Sequence, residues 1–194
     1  MNESAFRKTF KDLPTIETPR LILKKIVPEN AEDMYEYSKE YEVSKYLLWS
    51  PHLNVEESAG YIEYLQRQYK RGAYADWGLN LKENGKFIGT CGFTSFNFAL
   101  NMGEIGYVLS PYYRKKGYMH EAVAAVLRIA FLTLELDSVI IRVMDGNNDS
   151  IAVGRKFGFI FYKTDFKGEM VKGELKTIHT FILNKETYLK GICT

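Results

Sequence analysis

The stretch YVLSPYYRKKGYMHEA, residues Tyr107 to Ala122, decides the fold. It runs from a β-branched and aromatic segment through a proline and a basic cluster to a glycine and a helix-forming run. This pattern predicts a strand that passes into a helix within a few residues. Arg114, Lys115 and Lys116 would lie at the start of that helix, where the helix dipole disfavours cations. We therefore expect an anion to bind there.

Several features of this junction favour phosphate. The first turn of a helix has backbone amides that lack an intrahelical acceptor. Gly117 permits a close approach of the backbone to a ligand or a positive φ, and the neighbouring cations add long-range attraction. The alternative is a solvated basic turn, and charge alone does not decide between the two. The stretch contains neither the Gly-Lys-Ser/Thr triplet of a Walker loop nor the GxGxxG dinucleotide fingerprint.

The composition bounds the class of protein. A chain of 194 residues with 46% hydrophobic residues can bury one core, so we expect a single domain over 1–194, with 1–14 as a tail. Twenty-six Lys and Arg against 24 Asp and Glu leave a formal charge of +2, which argues against a dedicated nucleic-acid binder. Any anion site must therefore be local.

Targeting and metal signals are missing from the sequence. The N-terminus lacks the apolar core of a signal peptide, and no run reaches the roughly 18 apolar residues of a membrane span. We expect a cytoplasmic protein without membrane association. Cys91 and Cys193 form no CxxC pattern and the three histidines have no ligand spacing, so we predict no disulfide and no metal site.

The order of the predicted elements indicates an α+β fold. Turn signals and periodicity predict strands at 20–26, 75–83, 86–96, 102–110, 138–144 and 177–183, and helices at 28–40, 54–72, 118–134 and within 147–159. Asn84 and Gly85 form the turn of an antiparallel hairpin. A layer of mainly antiparallel strands therefore fits better than a doubly wound sheet. The late strand looks exposed and would be available for pairing in a homodimer.

Three motifs resemble those of the GNAT superfamily of acetyl-coenzyme A dependent N-acetyltransferases. EIGYVLSPYYRKKGYMHEAV resembles its cradle motif Arg/Gln-x-x-Gly-x-Gly/Ala, through Arg114, Gly117 and, imperfectly, Met119. NNDSIAVGRKFGF resembles a later element of the superfamily, and the matching residues are Asn147, Ser150, Gly158 and Phe159. ETPRLILKKI is similar to the first strand of the RimJ/RimL-like branch, which acetylates protein N-termini and related amines. Together the motifs cover residues 17–183.

The resemblance implies a mixed, mainly antiparallel central sheet flanked by helices, with a splayed parallel strand pair that holds acetyl-coenzyme A. Amides of the loop after Arg114 would hold the diphosphate, and the edge of the preceding strand would bind the pantetheine arm and polarise the thioester carbonyl. The implied cofactor-binding residues are Val108, Leu109, Arg114, Lys115, Lys116, Gly117, Tyr118, Met119, Asn147 and Ser150. Asn147 and Ser150 have an equally good interpretation as the cap of the short helix.

The implied acceptor is a primary amine, which is mostly protonated at neutral pH and must lose a proton before it attacks. Glu104 matches a position where the branch often has a carboxylate, and it would act as the base directly or through water. Its alternative is a strand-end carboxylate paired with a lysine. Gly154 replaces a tyrosine that protonates the leaving thiolate in many members, so another group or water must serve. Trp49, Tyr46 and Trp77 are candidates for the acceptor wall or for the core.

The sequence therefore predicts an N-acetyltransferase that moves an acetyl group to a protein N-terminus or a small-molecule amine in a ternary complex. A catalytically silent coenzyme A binding or sensor protein is the alternative, because the usual tyrosine is missing. An RNA-binding module that uses YYRKKGY is the weakest hypothesis, since the overall charge is near neutral.

Overall fold

The computed structural model describes residues 3–72 and 75–192 of the chain. The helices are α1 (Glu3–Phe10), α2 (Ala31–Ser38), α3 (Tyr41–Ser44), α4 (Val55–Lys70), α5 (Tyr118–Arg128), α6 (Asn148–Lys156) and α7 (Lys185–Ile192). The strands are β1 (Ile16–Glu17), β2 (Leu21–Lys24), β3 (Ala75–Leu81), β4 (Phe87–Asn97), β5 (Met102–Leu109), β6 (Ser138–Met144), β7 (Ile160–Val171) and β8 (Glu174–Asn184). None of these helices is long and apolar enough to cross a membrane.

The eight strands form one sheet in the order β1-β2-β3-β4-β5-β6-β8-β7. Neighbouring strands are antiparallel except for β5 and β6, which are parallel. That parallel pairing joins only Met102–Glu104 to Ser138–Ile140, and beyond it the two strands separate. The α+β class, the mainly antiparallel sheet and the splayed parallel pair are thus confirmed.

Helix α5 makes the crossover that two adjacent parallel strands require. Its predicted apolar face is buried throughout, and continues into a π-helical turn at Ile129–Thr133 where the sequence predicted regular helix to Leu134. The buried residues of this face are Ala122, Val123, Val126, Leu127, Ala130, Phe131 and Leu134. The helix packs on β4 and β2, and so fixes the loop at its own N-terminus relative to the sheet.

The predicted N-terminal tail is wrong, because residues 3–10 form α1. The Phe6 ring centroid lies 4.2 Å from that of Phe96, and the Phe10 centroid lies 6.0 Å from that of Trp77. Phe6, Phe10 and Leu13 are all buried. The four-residue spacing of the two phenylalanines places both rings on one side of the helix, against the sheet.

Gly72 allows this helix to pack closely on the end of α4. Its φ is 60°, and a Cβ at this position would lie 2.2 Å from the carbonyl oxygen of Arg7. The sequence predicted that α4 would run to Gly72, and α4 ends at Lys70. Because the glycine has no side chain, it also leaves the space that α1 occupies.

A long hairpin of β7 and β8 forms the far edge of the sheet, where the sequence predicted a single late strand over 177–183. The outermost strand β7 is a mixture of charged and apolar residues without a clean alternation of burial. Its exposed large apolar side chains are Ile160, Phe161, Tyr162, Phe166 and Met170. The strand predicted to pair with a second copy is β8, but β6 and β7 flank it on both sides, so it is not an open edge; homodimerisation itself stays a prediction.

One face of the central strands carries a buried carboxyl group. Asp76 on β3 lies opposite Gly92 on β4, which lies opposite Gly106 on β5. Opposite residues share a face, as do residues two apart in a strand, so Thr90 and Glu104 belong to this face too. Burial raises the pKa of Asp76 to about 7, although a hydrogen bond from Thr90 opposes the rise. A Cβ on Gly92 would lie 2.8 Å from Asp76 Oδ1, so the glycine makes room for the carboxyl.

The packing of α1 predicts the effect of removing one of its rings. Phe10→Ala should lower the free energy of unfolding by about 3–5 kcal/mol, because it leaves a cavity beneath the sheet. Leu100→Ala is the control, since Leu100 is 62% exposed and its loss should cost less than about 0.5 kcal/mol. Urea denaturation measures both variants, and equally small changes would restore the tail prediction.

The buried carboxyl of Asp76 predicts a pH dependence of stability. Its pKa in the folded state is about 7, above the value of about 3.9 expected in the unfolded chain. Between these values the folded state binds more protons at Asp76, so the contribution of this residue to stability should fall as the pH rises from about 4 to about 7. Asp76→Asn cannot ionise, so it should gain stability relative to wild type over that range. Urea denaturation at several pH values measures the difference in free energy of unfolding between the variant and the wild type. If the carboxyl were solvated, this difference would not change with pH.

Candidate active site

A cleft of about 450 Å³ lies where β5 and β6 separate. The predicted cofactor residues that line it are Val108, Leu109, Arg114, Lys115, Met119, Asn147 and Ser150. The other lining residues are Glu42, Val43, Lys45, Tyr46, Leu47, Tyr107, Gly146, Asn148, Asp149 and Val153. The structure thus brings together two motifs that residues 124–146 separate in the sequence.

The loop between β5 and α5 has a backbone suited to an anion. Lys115 has a φ of 59° and Gly117 a φ of 84°, both in the left-handed region. A left-handed residue beside a right-handed one, as Gly117 is beside Tyr118 at the start of α5, turns successive amides toward one point, which creates a concave anion site. Lysine is disfavoured at positive φ, and such strain of about 1–3 kcal/mol is typical of functional sites. In the described part of the chain no amide from Lys115 to His120 has an acceptor, and the first intrahelical bond runs from Glu121 N–H to the Gly117 carbonyl.

The N-terminus of α5 differs from those of α4 and α6. Asn54 caps α4 by accepting from the Glu57 amide at 3.0 Å, and Asn147 caps α6 by accepting from the Ser150 amide at 3.3 Å. Helix α5 has Gly117 as its N-cap residue, so no side chain caps it. Its free amides and its positive dipole end therefore remain available to a ligand.

The side chains of this loop divide between the cleft and its outer side. Arg114 and Lys115 line the cleft, whereas the Lys116 ammonium lies 5.3 Å from the centroid of the Tyr113 ring. Lys116, Gly117 and Tyr118 are not among the described residues that line the cleft. Met119, which replaces the small residue of the motif, is buried and forms part of the cleft wall.

The end of β5 offers backbone groups to the cleft. Val108 and Leu109 pair on one side with Thr90 and Gly89 of β4. On the other side the parallel pairing with β6 has already ended at Glu104. Backbone groups on that side are therefore available to an extended ligand, which fits the edge-strand role predicted for the pantetheine arm.

Helix α6 closes the opposite side of the cleft. The cap interpretation of Asn147 is confirmed, and the residue also lines the cleft, so its contact with the cofactor stays a prediction. The Ser150 carbonyl accepts a hydrogen bond of 3.2 Å from the Tyr107 hydroxyl. Burial raises the pKa of Tyr107, so this hydroxyl is neutral and tied to α6. Sequence reasoning missed Tyr107, although its place one residue before Val108 was a signal.

Gly154 packs against the sheet. A Cβ at this position would lie 2.5 Å from Ile141 Cδ1, so a larger residue would require that side chain to shift. Having glycine instead of tyrosine at this position therefore allows α6 to pack closely on β6.

Glu104 is the last residue of β5 that pairs with β6, and it lies opposite Ile140. Its carboxylate accepts a hydrogen bond of 3.0 Å from the Ser95 hydroxyl, and the side chain is partly exposed. It is not among the described residues that line the cleft. The predicted lysine partner is replaced here by a serine.

The segment Tyr41–Leu47 forms the wall opposite the cradle, which the sequence did not predict apart from Tyr46. Tyr46 lines the cleft and packs on a small apolar cluster of β6, β7 and β8. Lys172 in the β7–β8 turn donates to the Ser44 carbonyl at 2.8 Å, which ties the hairpin to this wall. Trp77 belongs to the core, with its indole N–H donating to the Pro14 carbonyl.

The cysteine and histidine side chains lie in separate places. Cys91 is buried in β4, and burial raises the pKa of its thiol. Cys193 lies outside the described residues. His52 contacts the Ser38 and Ser58 hydroxyls, His120 stacks on Phe157, and His179 lies between Asp145 and Thr164.

Comparisons with known proteins agree with this architecture. The family model described as Acetyltransferase (GNAT) domain matches residues 20–160. A Bacillus licheniformis protein named N-acetyltransferase p20 is 29% identical over 176 residues, which are 91% of this chain and 99% of the relative. The crystal structure of a GNAT-family acetyltransferase from Bacillus anthracis superposes with a TM-score of 0.78 at 24% identity, covering 89% of this chain and 99% of that one.

A second solved structure is RimL, a ribosomal L7/L12 alpha-N-protein acetyltransferase. It superposes with a TM-score of 0.77 at 16% identity, and the match covers 88% of this chain and 94% of that one. At this identity the likeness concerns the fold. With the splayed strands, the uncapped cradle helix and the family match over most of the chain, the protein belongs to the GNAT family of acetyltransferases.

Proposed function

We propose that this acyltransferase moves the acetyl group of acetyl-coenzyme A to a primary amine by direct attack in a ternary complex. The observation that supports this most is the uncapped start of α5, whose free amides and flanking cations open on the cleft between the splayed strands. The acceptor is a protein N-terminus or a small-molecule amine. The similarity of ETPRLILKKI to the RimJ/RimL-like branch supports this choice, with homodimerisation and a cytoplasmic location as accompanying predictions.

The donor half of the site follows from the chain's own groups. Arg114, Lys115 and the amides of the loop neutralise and bind the diphosphate. The unpaired edge of β5 at Val108 and Leu109 binds the pantetheine amides and directs an N–H at the thioester carbonyl. Such a donor stabilises the oxyanion that develops during attack.

The acceptor half requires a base. An α-amino group has a pKa near 8 and a lysine near 10.4, so most of the acceptor is protonated at neutral pH. Glu104 is the proposed base, and because it is not among the described residues that line the cleft, it would act through water. Its partly exposed carboxylate also attracts the ammonium form of the acceptor, while Ser95 orients it.

The leaving thiolate needs little help. A thiol has a pKa near 8.5, so its thiolate is only weakly basic and can take a proton from water. The Tyr107 hydroxyl is engaged with the Ser150 carbonyl and serves to hold α6. Cys91 is buried in the sheet, so a covalent acetyl-cysteine intermediate is not part of the proposal. A silent coenzyme A sensor is not favoured, because the family and the p20 relative are acetyltransferases.

Gly117→Asp tests the cradle by isothermal titration with acetyl-coenzyme A. The new carboxylate should weaken binding by at least about tenfold, because it repels the diphosphate and its Cβ would lie 3.2 Å from Arg20 Nη2. Gly85→Asp is the matched control, since Gly85 also has positive φ, at 75°, but lies in the β3–β4 turn with open space around it. Failure of the wild-type protein to bind acetyl-coenzyme A would overturn the proposed function.

Glu104→Gln tests the base. The variant should lower kcat by about 10²- to 10⁴-fold near neutral pH and leave the Kd for acetyl-coenzyme A unchanged, because only proton removal is lost. Its turnover should recover partly at higher pH, where more of the amine is already deprotonated. Glu174→Gln, on the exposed part of β8, is the control for loss of a strand carboxylate. Unchanged turnover in Glu104→Gln would exclude this residue as the base.

A further inference from the structure

Arg20, which immediately precedes β2, reaches the phosphate cradle from outside the cleft. Its Nη1 donates to the carbonyl of Lys116 at 2.9 Å, and its Nε donates to Glu121 Oε2 at 2.8 Å. The guanidinium carbon also lies 4.5 Å from the centroid of the Tyr118 ring. One side chain from the N-terminal part of the sheet therefore contacts three residues of the cradle and of the first turns of α5.

Glu121 fixes the position of this arginine. Its Oε1 accepts hydrogen bonds from the Arg20 amide at 2.7 Å and from the Thr18 hydroxyl at 2.5 Å. The glutamate side chain is 14% exposed, against 47% for that of Arg20. Burial tends to raise the pKa of Glu121, yet hydrogen bonds from Thr18 and Arg20 lower it overall, so the carboxylate is ionised. The charges of Arg20 and Glu121 cancel, so the pair adds no net charge next to the loop, which already contains three cations.

The contact with the Lys116 carbonyl determines how the next peptide group is oriented. In a planar trans peptide the C=O and the following N–H point in opposite directions, and the described chain has no cis peptide. With its oxygen directed at Arg20, the Lys116–Gly117 peptide directs the Gly117 amide to the other side of the loop. Gly117, with φ 84° and ψ −2°, has the angles of the third residue in a type II turn.

A rotation of that peptide by half a turn would convert this geometry toward type I. The Gly117 amide would then point at Arg20, and a carbonyl oxygen would point to the ligand side, where it would repel phosphate. Glycine permits this flip, because both positive and negative φ are accessible to it. The hydrogen bond from Arg20 stabilises the one orientation that is compatible with an anion.

We propose that Arg20 and Glu121 form a positioning pair that holds the Lys116–Gly117 peptide with its amide toward the diphosphate of the acyl-coenzyme A. This inference rests on the proposed function. Neither residue is among the described ones that line the cleft, so the pair acts through the loop. Its influence is confined to the phosphate-bearing part of the donor. A thioester that lacks the diphosphate does not use the Gly117 amide and is indifferent to the pair.

This difference between donors distinguishes positioning from a general structural role. The Kd values of acetyl-coenzyme A and of S-acetylpantetheine, which has no diphosphate, are measured by calorimetry and by NMR titration. Arg20→Ala should weaken acetyl-coenzyme A binding by about 10- to 100-fold, the range for losing a charge-assisted hydrogen bond, and leave the Kd of S-acetylpantetheine unchanged. Lys82→Ala is the matched control, because Lys82 lies on the adjacent strand end, donates its amide to the Arg20 carbonyl and pairs with Glu17 away from the cradle.

Arg20→Lys distinguishes the effect of the arginine's geometry from that of its charge. It also provides a test if the alanine variant does not fold. Lysine keeps the cation but cannot reach both the Lys116 carbonyl and Glu121 with the planar fork of arginine, so most of the affinity loss should persist. Wild-type affinity in Arg20→Lys, or equal weakening of both donors in Arg20→Ala, would overturn the positioning role. If wild-type protein binds acetyl-coenzyme A and Arg20→Ala binds it equally well, this inference fails while the proposed function stands. Lack of binding by the wild type would overturn both.

Discussion

The separation of β5 from β6 after Glu104 is the constraint on which the rest of the site depends. Parallel neighbours need a crossover, so α5 must leave the end of β5 and return over the sheet to the start of β6. The loop at its start is thereby held at the mouth of the gap. The same gap leaves the far edge of β5 without a strand partner, and buried backbone groups need partners. A linear ligand with amides along its length and phosphates at one end satisfies both the strand edge and the helix terminus.

Several local costs coincide at this site. Helices α4 and α6 are capped by asparagines, each a stabilisation of about 1 kcal/mol, whereas α5 has no such cap. Lys115 adopts a left-handed conformation that is unfavourable for a lysine, in a loop where cations already gather. All three features destabilise the free loop, and a bound anion would relieve two of them. The stability of the domain comes instead from the buried faces of the sheet and of α5.

The parts of the structure that follow from local pattern could be predicted, and those that depend on distant contacts could not. The apolar repeat of α5 and the Asn84–Gly85 turn are short-range signals, and both are present in the structure. The cradle was predicted for the same reason, since Arg114, Gly117 and Met119 are close in sequence. Helix α1 was missed because its two phenylalanines pack against Trp77 and Phe96. These residues are far away in the sequence, so no local pattern indicates the contacts. Strand β7 was missed because an edge strand has no buried face to impose an alternation.

Asp76 and Glu104 lie on one face of the sheet, and comparing them shows why the accessibility of a carboxyl group matters more than its pKa in assigning a base. Asp76 has a pKa of about 7, which by itself would suit a general base at neutral pH. It is enclosed beneath the sheet face, however, with Thr90 as its hydrogen-bond partner and Gly92 packed against it. An amine cannot reach it without displacing this packing. Glu104, two strands away, is partly exposed where β5 and β6 separate, and water can connect it to the cleft. Exposure therefore favours Glu104 over Asp76 as the proposed base, and the raised pKa of Asp76 reflects burial.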